Sequence, residues 1–160
     1  MQSPDLTAVR SLADFIAEIP AEARGVRLLA DRAIGYISSF GWCGAVLEYY
    51  VGIGVANVIG VFLVHVEPAQ SGVDDWLWVV VGDLPPAYLV VDDNPTPTEA
   101  LESYIVEMRK WVDAVRSGAA LDDVIPVNAA PTTEFAEMLA ARLDYLSSVL
   151  LPEIRGDLGA

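Results

Sequence analysis

The chain has 160 residues, 9 Lys+Arg against 23 Asp+Glu, and a formal net charge of −14. A length near that of one ordinary domain, with 54% hydrophobic residues, is long enough to bury a core without disulfide or metal support and excludes intrinsic disorder. With Lys110 as the sole lysine and no Lys/Arg cluster, the sequence lacks the means to neutralise a phosphate backbone or an anionic membrane surface. Neither nucleic acid nor membrane is therefore expected as a partner, whereas a protein with a basic face is compatible with this charge.

The first apolar stripe, Leu6, Val9, Leu12, Phe15, Ile16 and Ile19, predicts a helix capped by Ser3, opened by Pro4 and Asp5, and stopped by Pro20. This segment carries Asp5, Asp14 and Glu18 and does not read as a signal peptide, so a cytoplasmic location is expected. Val26, Leu29, Ala30, Ala33, Ile34 and Ile37 form the face of a second helix.

From Trp42 to Asp92 the chain becomes rich in Val, Ile, Tyr, Trp and Phe, which suit a pleated surface. Four strands are predicted, at about 43–51, 58–67, 76–82 and 87–92, divided by Gly52–Asn57, Pro68–Asp75 and Asp83-Leu84-Pro85-Pro86. The two prolines are placed between strands because they donate nothing to a ladder. Short connections make consecutive strands antiparallel neighbours in a meander. Tyr49 to Val64 is uncharged, but its glycines and Asn57 favour two strands over a membrane-spanning helix.

Thr96-Pro97-Thr98-Glu99 is a capping box with proline at the first helical position. Leu101, Tyr104, Ile105, Met108, Trp111, Val112 and Val115 continue that helix, which Gly118 ends. After a mixed loop, Pro131 to Pro152 predicts a last helix with Phe135, Met138, Leu139, Leu143, Leu146, Val149 and Leu150 as its face. The expected fold is a single α+β domain over 1–160, in the order ααββββαα around a four-stranded antiparallel meander.

No familiar catalytic motif can be written. Ser71-Gly72 lacks the leading glycine of a nucleophile elbow, and Gly52-x-Gly54 lacks the third glycine of a dinucleotide loop. Cys43 and His65 are each unique, so a cysteine–histidine pair is conceivable, although a lone cysteine in a β-rich region more often packs as a small hydrophobe. Asp74-Asp75 and Asp92-Asp93 are adjacent pairs whose side chains diverge along a strand, and no metal or cofactor is expected.

Strand parity gives the sharper candidate. If Val51 faces Val58, then Gly44 pairs with His65, Val46 with Leu63 and Glu48 with Val61. Glu48, Tyr50, His65 and Glu67 then share one face, with Leu47, Tyr49, Phe62, Val64 and Val66 on the other. A histidine between carboxylates could serve as a general base or a charge switch. Trp76 and Trp78, with Tyr88 on the following strand, form an aromatic stripe suited to a binding groove or interface. Both faces of the last two strands are apolar, which calls for helices on both sides or a second subunit, hence a homodimer or a protein partner.

Two functions follow. One is a non-enzymatic protein-binding module, chaperone-, inhibitor- or immunity-like. The other is a small-molecule or hydrolytic pocket using His65 with Glu48 or Glu67, walled by Tyr50, Trp76, Trp78 and Tyr88.

Overall fold

In the computed structural model, residues 4–68, 75–122, 124–125, 127 and 130–159 are described. Ser3, Ser71-Gly72 and Asp74 lie outside them. The chain gathers into two compact units, residues 1–100 and 101–160.

The first unit opens differently from the predicted helix. A single 3₁₀ turn, Leu6–Ala8, is capped by Asp5, and the α-helix α1 runs only from Leu12–Glu18, capped by the Ser11 hydroxyl. Between them the chain is extended, because Arg10 exchanges two backbone hydrogen bonds with Val51, at 3.1 and 2.7 Å. Pairing with a strand overrides the helical spacing of Leu6 and Val9. Pro20 stops α1 and opens a further 3₁₀ turn, Pro20–Glu22. Helix α2, Ala23–Ser38, then buries Val26, Leu29, Ala30, Ala33 and Ile37, five of the six residues in the predicted stripe.

Four antiparallel strands follow in the order β1-β2-β3-β4: β1 Cys43–Val55, β2 Ile59–Pro68, β3 Trp76–Gly82 and β4 Leu84–Val90. The α+β meander is thus the architecture, but two boundaries move. Gly52 and Gly54 belong to β1, not to a turn; at Gly54 a Cβ would press on Phe15, Val26 and Val51, so the missing side chain lets α1 and α2 close onto the strand. The turn instead uses Asn57, in the left-handed region at φ 64° that asparagine tolerates. Pro85 and Pro86 lie within β4, which is permitted because β4 is the outermost strand.

On the side of the sheet facing α2, Val51, Phe62, Val64, Val66, Leu77, Val79 and Val81 join Phe15, Val26, Leu29 and Ile37 in one apolar core. Leu47, expected there, is 53% exposed. The register breaks between Val46 and Glu48, so Val46 pairs with Val66 and takes the inward place.

Helix α3, Pro97–Ser117, has the predicted ends. The Thr96 hydroxyl accepts from the Glu99 N–H at 3.2 Å and donates to the Glu99 carboxylate at 3.4 Å. At its other end Gly118 adopts φ 72°, its N–H reaches Val115 O, and the Ala119 N–H reaches Ala114 O, a Schellman closure.

In the second unit, α4, Thr133–Tyr145, is capped by Thr132. Pro152 was expected to end this helix and does not. A π-helical turn, Leu146–Leu150, carries the chain into α5, Leu151–Gly159. There the Leu151 N–H bonds to Leu146 O, five residues back. The wider turn shifts the hydrogen-bond frame where proline has no N–H to offer. Arg116–Glu137 at 2.6 Å, Arg109–Asp144 at 3.0 Å and Arg155–Glu102 at 2.5 Å tie α3 to the helices after it in antiparallel order. No described helix is long and apolar enough to cross a membrane.

Candidate functional site

The β1–β2 pairing differs from the predicted one. Val51 stands opposite Phe62 instead of Val58, and Glu48 stands opposite His65 instead of Val61. Because the partner of Val51 moves by an even number of residues, side-chain parity survives. Glu48, Tyr50 and His65 therefore do share a face, away from the α2-side core. The next pairing, His65 opposite Trp76, brings β3 onto the same cluster.

His65 occupies the middle of it. Its Nδ1 lies 3.8 Å from Glu48 Oε1, and its Nε2 lies 3.3 Å from Asp75 Oδ2. The imidazole is stacked on the Trp76 indole, with centroids 4.2 Å apart and planes 1° from parallel. Tyr50, on the same face of β1, lies 6.4 Å from Trp76 and 21° from parallel. The ring of His65 keeps about a quarter of its side-chain surface exposed, so the cluster sits at the surface. Partial desolvation, with the adjacent Glu48 carboxylate, holds the Tyr50 phenol above its ordinary value.

The second carboxylate is thus Asp75, not Glu67. Glu67 is exposed and makes no ion pair with His65. Sequence parity pointed to Glu67 because it shares the face of His65, but it is two residues along the same strand. Asp75 reaches His65 because it immediately precedes the residue opposite. Adjacency to Trp76 was the signal that would have found it.

The aromatic stripe divides. Trp76 and Trp78 share a face, yet Trp78 is 1% exposed and its indole N–H donates to the Asn94 carbonyl at 2.6 Å, so it anchors the loop after β4. Tyr88 stands opposite Val79, on the other side of the sheet. There it packs edge-on to Phe40 and Trp42, and Tyr36 packs edge-on to Phe40 in turn. Burial, with Tyr88 nearby, pushes the Tyr36 phenol up to about 12. The grouping of Tyr88 with Trp76 and Trp78 fails because alternate residues of a strand face opposite ways.

Cys43 also belongs to the α2 side, where it packs against the core, and burial raises its thiol above the ordinary value. It is not a partner for His65. Among the described residues, no group of three or more His, Cys, Asp or Glu side chains is placed to hold a metal ion. A shallow cavity of about 390 Å³ lies elsewhere in the first unit, lined by Gly25, Leu28, Leu29, Asp31, Arg32 and Asn57.

Burial is extensive on both faces of the inner strands: Phe62 and Val79 are buried on one, Leu63, Trp78 and Val80 on the other. Two apolar faces therefore do not by themselves call for a second subunit. Compared with family models, curated proteins and solved structures, the chain matches none.

Proposed function

We propose that this chain is a non-enzymatic protein-binding module, chaperone-, inhibitor- or immunity-like, whose partner presents a basic face. One observation carries the reading: the carboxylates at one end of the sheet have no Lys or Arg partner among the described residues. All nine Lys and Arg lie among the described residues. Arg10, Arg109, Lys110, Arg116 and Arg155 each pair with a carboxylate of the same chain. None pairs with Glu48, Glu67 or Asp75, and among the described residues His65 is the one basic side chain paired with a carboxylate at that end of the sheet. Such a field favours encounter with a positively charged surface.

The test is affinity isolation of the full chain from its source cells, followed by binding of the recovered species as a purified component. A basic protein that binds directly and is released as salt rises to about 0.5 M supports the reading, since screening then acts within a few ångströms. A retained small molecule, or a partner indifferent to salt, overturns it.

A further inference from the structure

We propose that the outer face of α4 and its π-helical turn is a self-association surface, packed antiparallel against the same face of a second copy of this chain. The inner face of this helix is filled by Leu139, Leu143, Leu146 and Leu150, all buried. On the outer face Met138 is 52% exposed, Tyr145 46% and Val149 39%, with Ala141 exposed between the first two. A helix at a protein surface ordinarily has one apolar stripe, and this one has two. Met138, Ala141 and Tyr145 follow each other at three and four residues, the spacing of a helix–helix seam. Val149 comes four residues later, about one turn of the π-helical segment, and stays in line with Tyr145. The strip runs about 17 Å along the helix axis.

Charge and shape choose the occupant. The carboxylates along one edge of the strip, Glu137 and Asp144, are already answered by Arg116 and Arg109 of α3. That edge therefore offers little to a basic partner and does little to repel an acidic copy. An antiparallel copy, related by a twofold axis, sets Met138 opposite Val149 and the small Ala141 opposite the large Tyr145, each twice over. A parallel copy would stack Tyr145 on Tyr145 and face Ala141 with Ala141, one layer crowded and the other empty. In the antiparallel register Arg142, which lies along the helix and donates to the Met138 carbonyl at 3.3 Å, also comes across from the Tyr145 ring of the second copy. The exposed Glu134 and Glu153 meet at both ends of the strip, and each copy carries a net charge of −14. Repulsion thus limits the dimer, and salt strengthens it by screening. A seam this short falls below the roughly 1,200 Å² of a standard interface, so the dissociation constant is expected on the order of 100 μM.

The experiment is sedimentation equilibrium of the full chain alone, from about 5 μM to about 1 mM, at about 0.05 M and about 0.5 M NaCl. Wild type should pass from monomer to dimer over that range and associate about threefold or more tightly at the higher salt. Tyr145→Ser and Ala141→Trp should each weaken association by about tenfold, while their melting temperatures stay near wild type because both positions are exposed. Leu28→Ser removes a leucine that is 57% exposed in the first unit and should leave association unchanged. The register is read by mixing copies: a nitroxide on Val149→Cys, in a Cys43→Ala background, should broaden the Met138 methyl signal of an unlabelled copy. A monomer throughout, a dimer loosened by salt, a dimer indifferent to Tyr145→Ser, equal loss in Leu28→Ser, or broadening centred on Val149 would each overturn the proposal. The basic-partner reading fails separately, because its complex is released by salt and this one is strengthened by it.

Discussion

The two units handle an acidic composition in opposite ways. In residues 101–160, carboxylates meet arginines in sequence: Glu137 with Arg116, Asp144 with Arg109, and Glu102 with Arg155. In residues 1–100, Glu48 and Asp75 flank His65 and pair with no Lys or Arg among the described residues, while cohesion comes from an apolar core and close backbone approach. Ion pairs at a surface contribute little each, whereas packed side chains contribute several-fold more. The first unit should therefore be sensitive to volume, and the second to salt and acid.

The largest effect expected is at Phe62, fully buried where β2 meets α2 and α1. Phe62→Ala should cost about 3–5 kcal/mol in denaturant unfolding, as large-to-small core changes do. A loss below about 1 kcal/mol would mean that this face is loosely packed and would end the contrast between the units.

Gly25 gives a finer test, since two effects oppose each other there. Helix propensity alone says that Gly25→Ala stabilises α2 by up to about 1 kcal/mol. The structure says otherwise: a Cβ at Gly25 would collide with the Ala56 side chain and come within 3.0 Å of its Cα. The same approach lets the Ala56 N–H donate to Glu22 at 2.7 Å. Overpacking of this kind costs about 1–3 kcal/mol, so the net change should be destabilising. The double variant Gly25→Ala/Ala56→Gly should recover most of the loss; no recovery would show that the cost lies elsewhere.

How much of this was legible beforehand depended on the range of the interaction. Thr96, Glu99 and Gly118 act within one turn of their own helix, so their residue types suffice to place both ends of α3. Side-chain parity is similarly robust: Glu48 and His65 kept a common face although the pairing moved, because the move was even. What failed needed knowledge of a distant partner. Val9 and Arg10 read as helix until Val51 claimed Arg10. Gly54 read as a turn until Phe15 and Val26 required its missing side chain. Asp75 was missed because its place beside His65 depends on the β2–β3 register, which neither segment encodes alone.

Alkaline titration probes the first unit without altering its volume much. Tyr36 is held at about 12 by burial and by Tyr88, against an ordinary value of 10.0. Below pH 10 the phenol is neutral in both states, and its environment contributes in full. Between about pH 10 and 12 the unfolded chain ionises first, so stability is lost as pH rises. Tyr36→Phe should thus show a shallower fall in melting temperature than wild type across that window. Equal slopes would place the Tyr36 ring in contact with water instead of against Phe40.

The smallest effect is expected in the second unit, at Arg116 and Glu137. A hydrogen bond from Arg116, reinforced by its charge, lowers the Glu137 carboxyl below its ordinary 4.5, while both groups remain at the surface. A depressed carboxyl contributes stability above its unfolded value, and that contribution is lost as pH falls through the folded one. Glu137→Gln should therefore melt slightly below wild type at pH 7 and converge with it as pH falls through the lowered Glu137 value. The gap should also narrow as salt screens the pair, which buried packing changes such as Phe62→Ala will not do. If Glu137→Gln proved as damaging as Gly25→Ala, the arginine–carboxylate series would have to be a structural support of α3 and α4, and the contrast with the sheet would be one of chemistry alone.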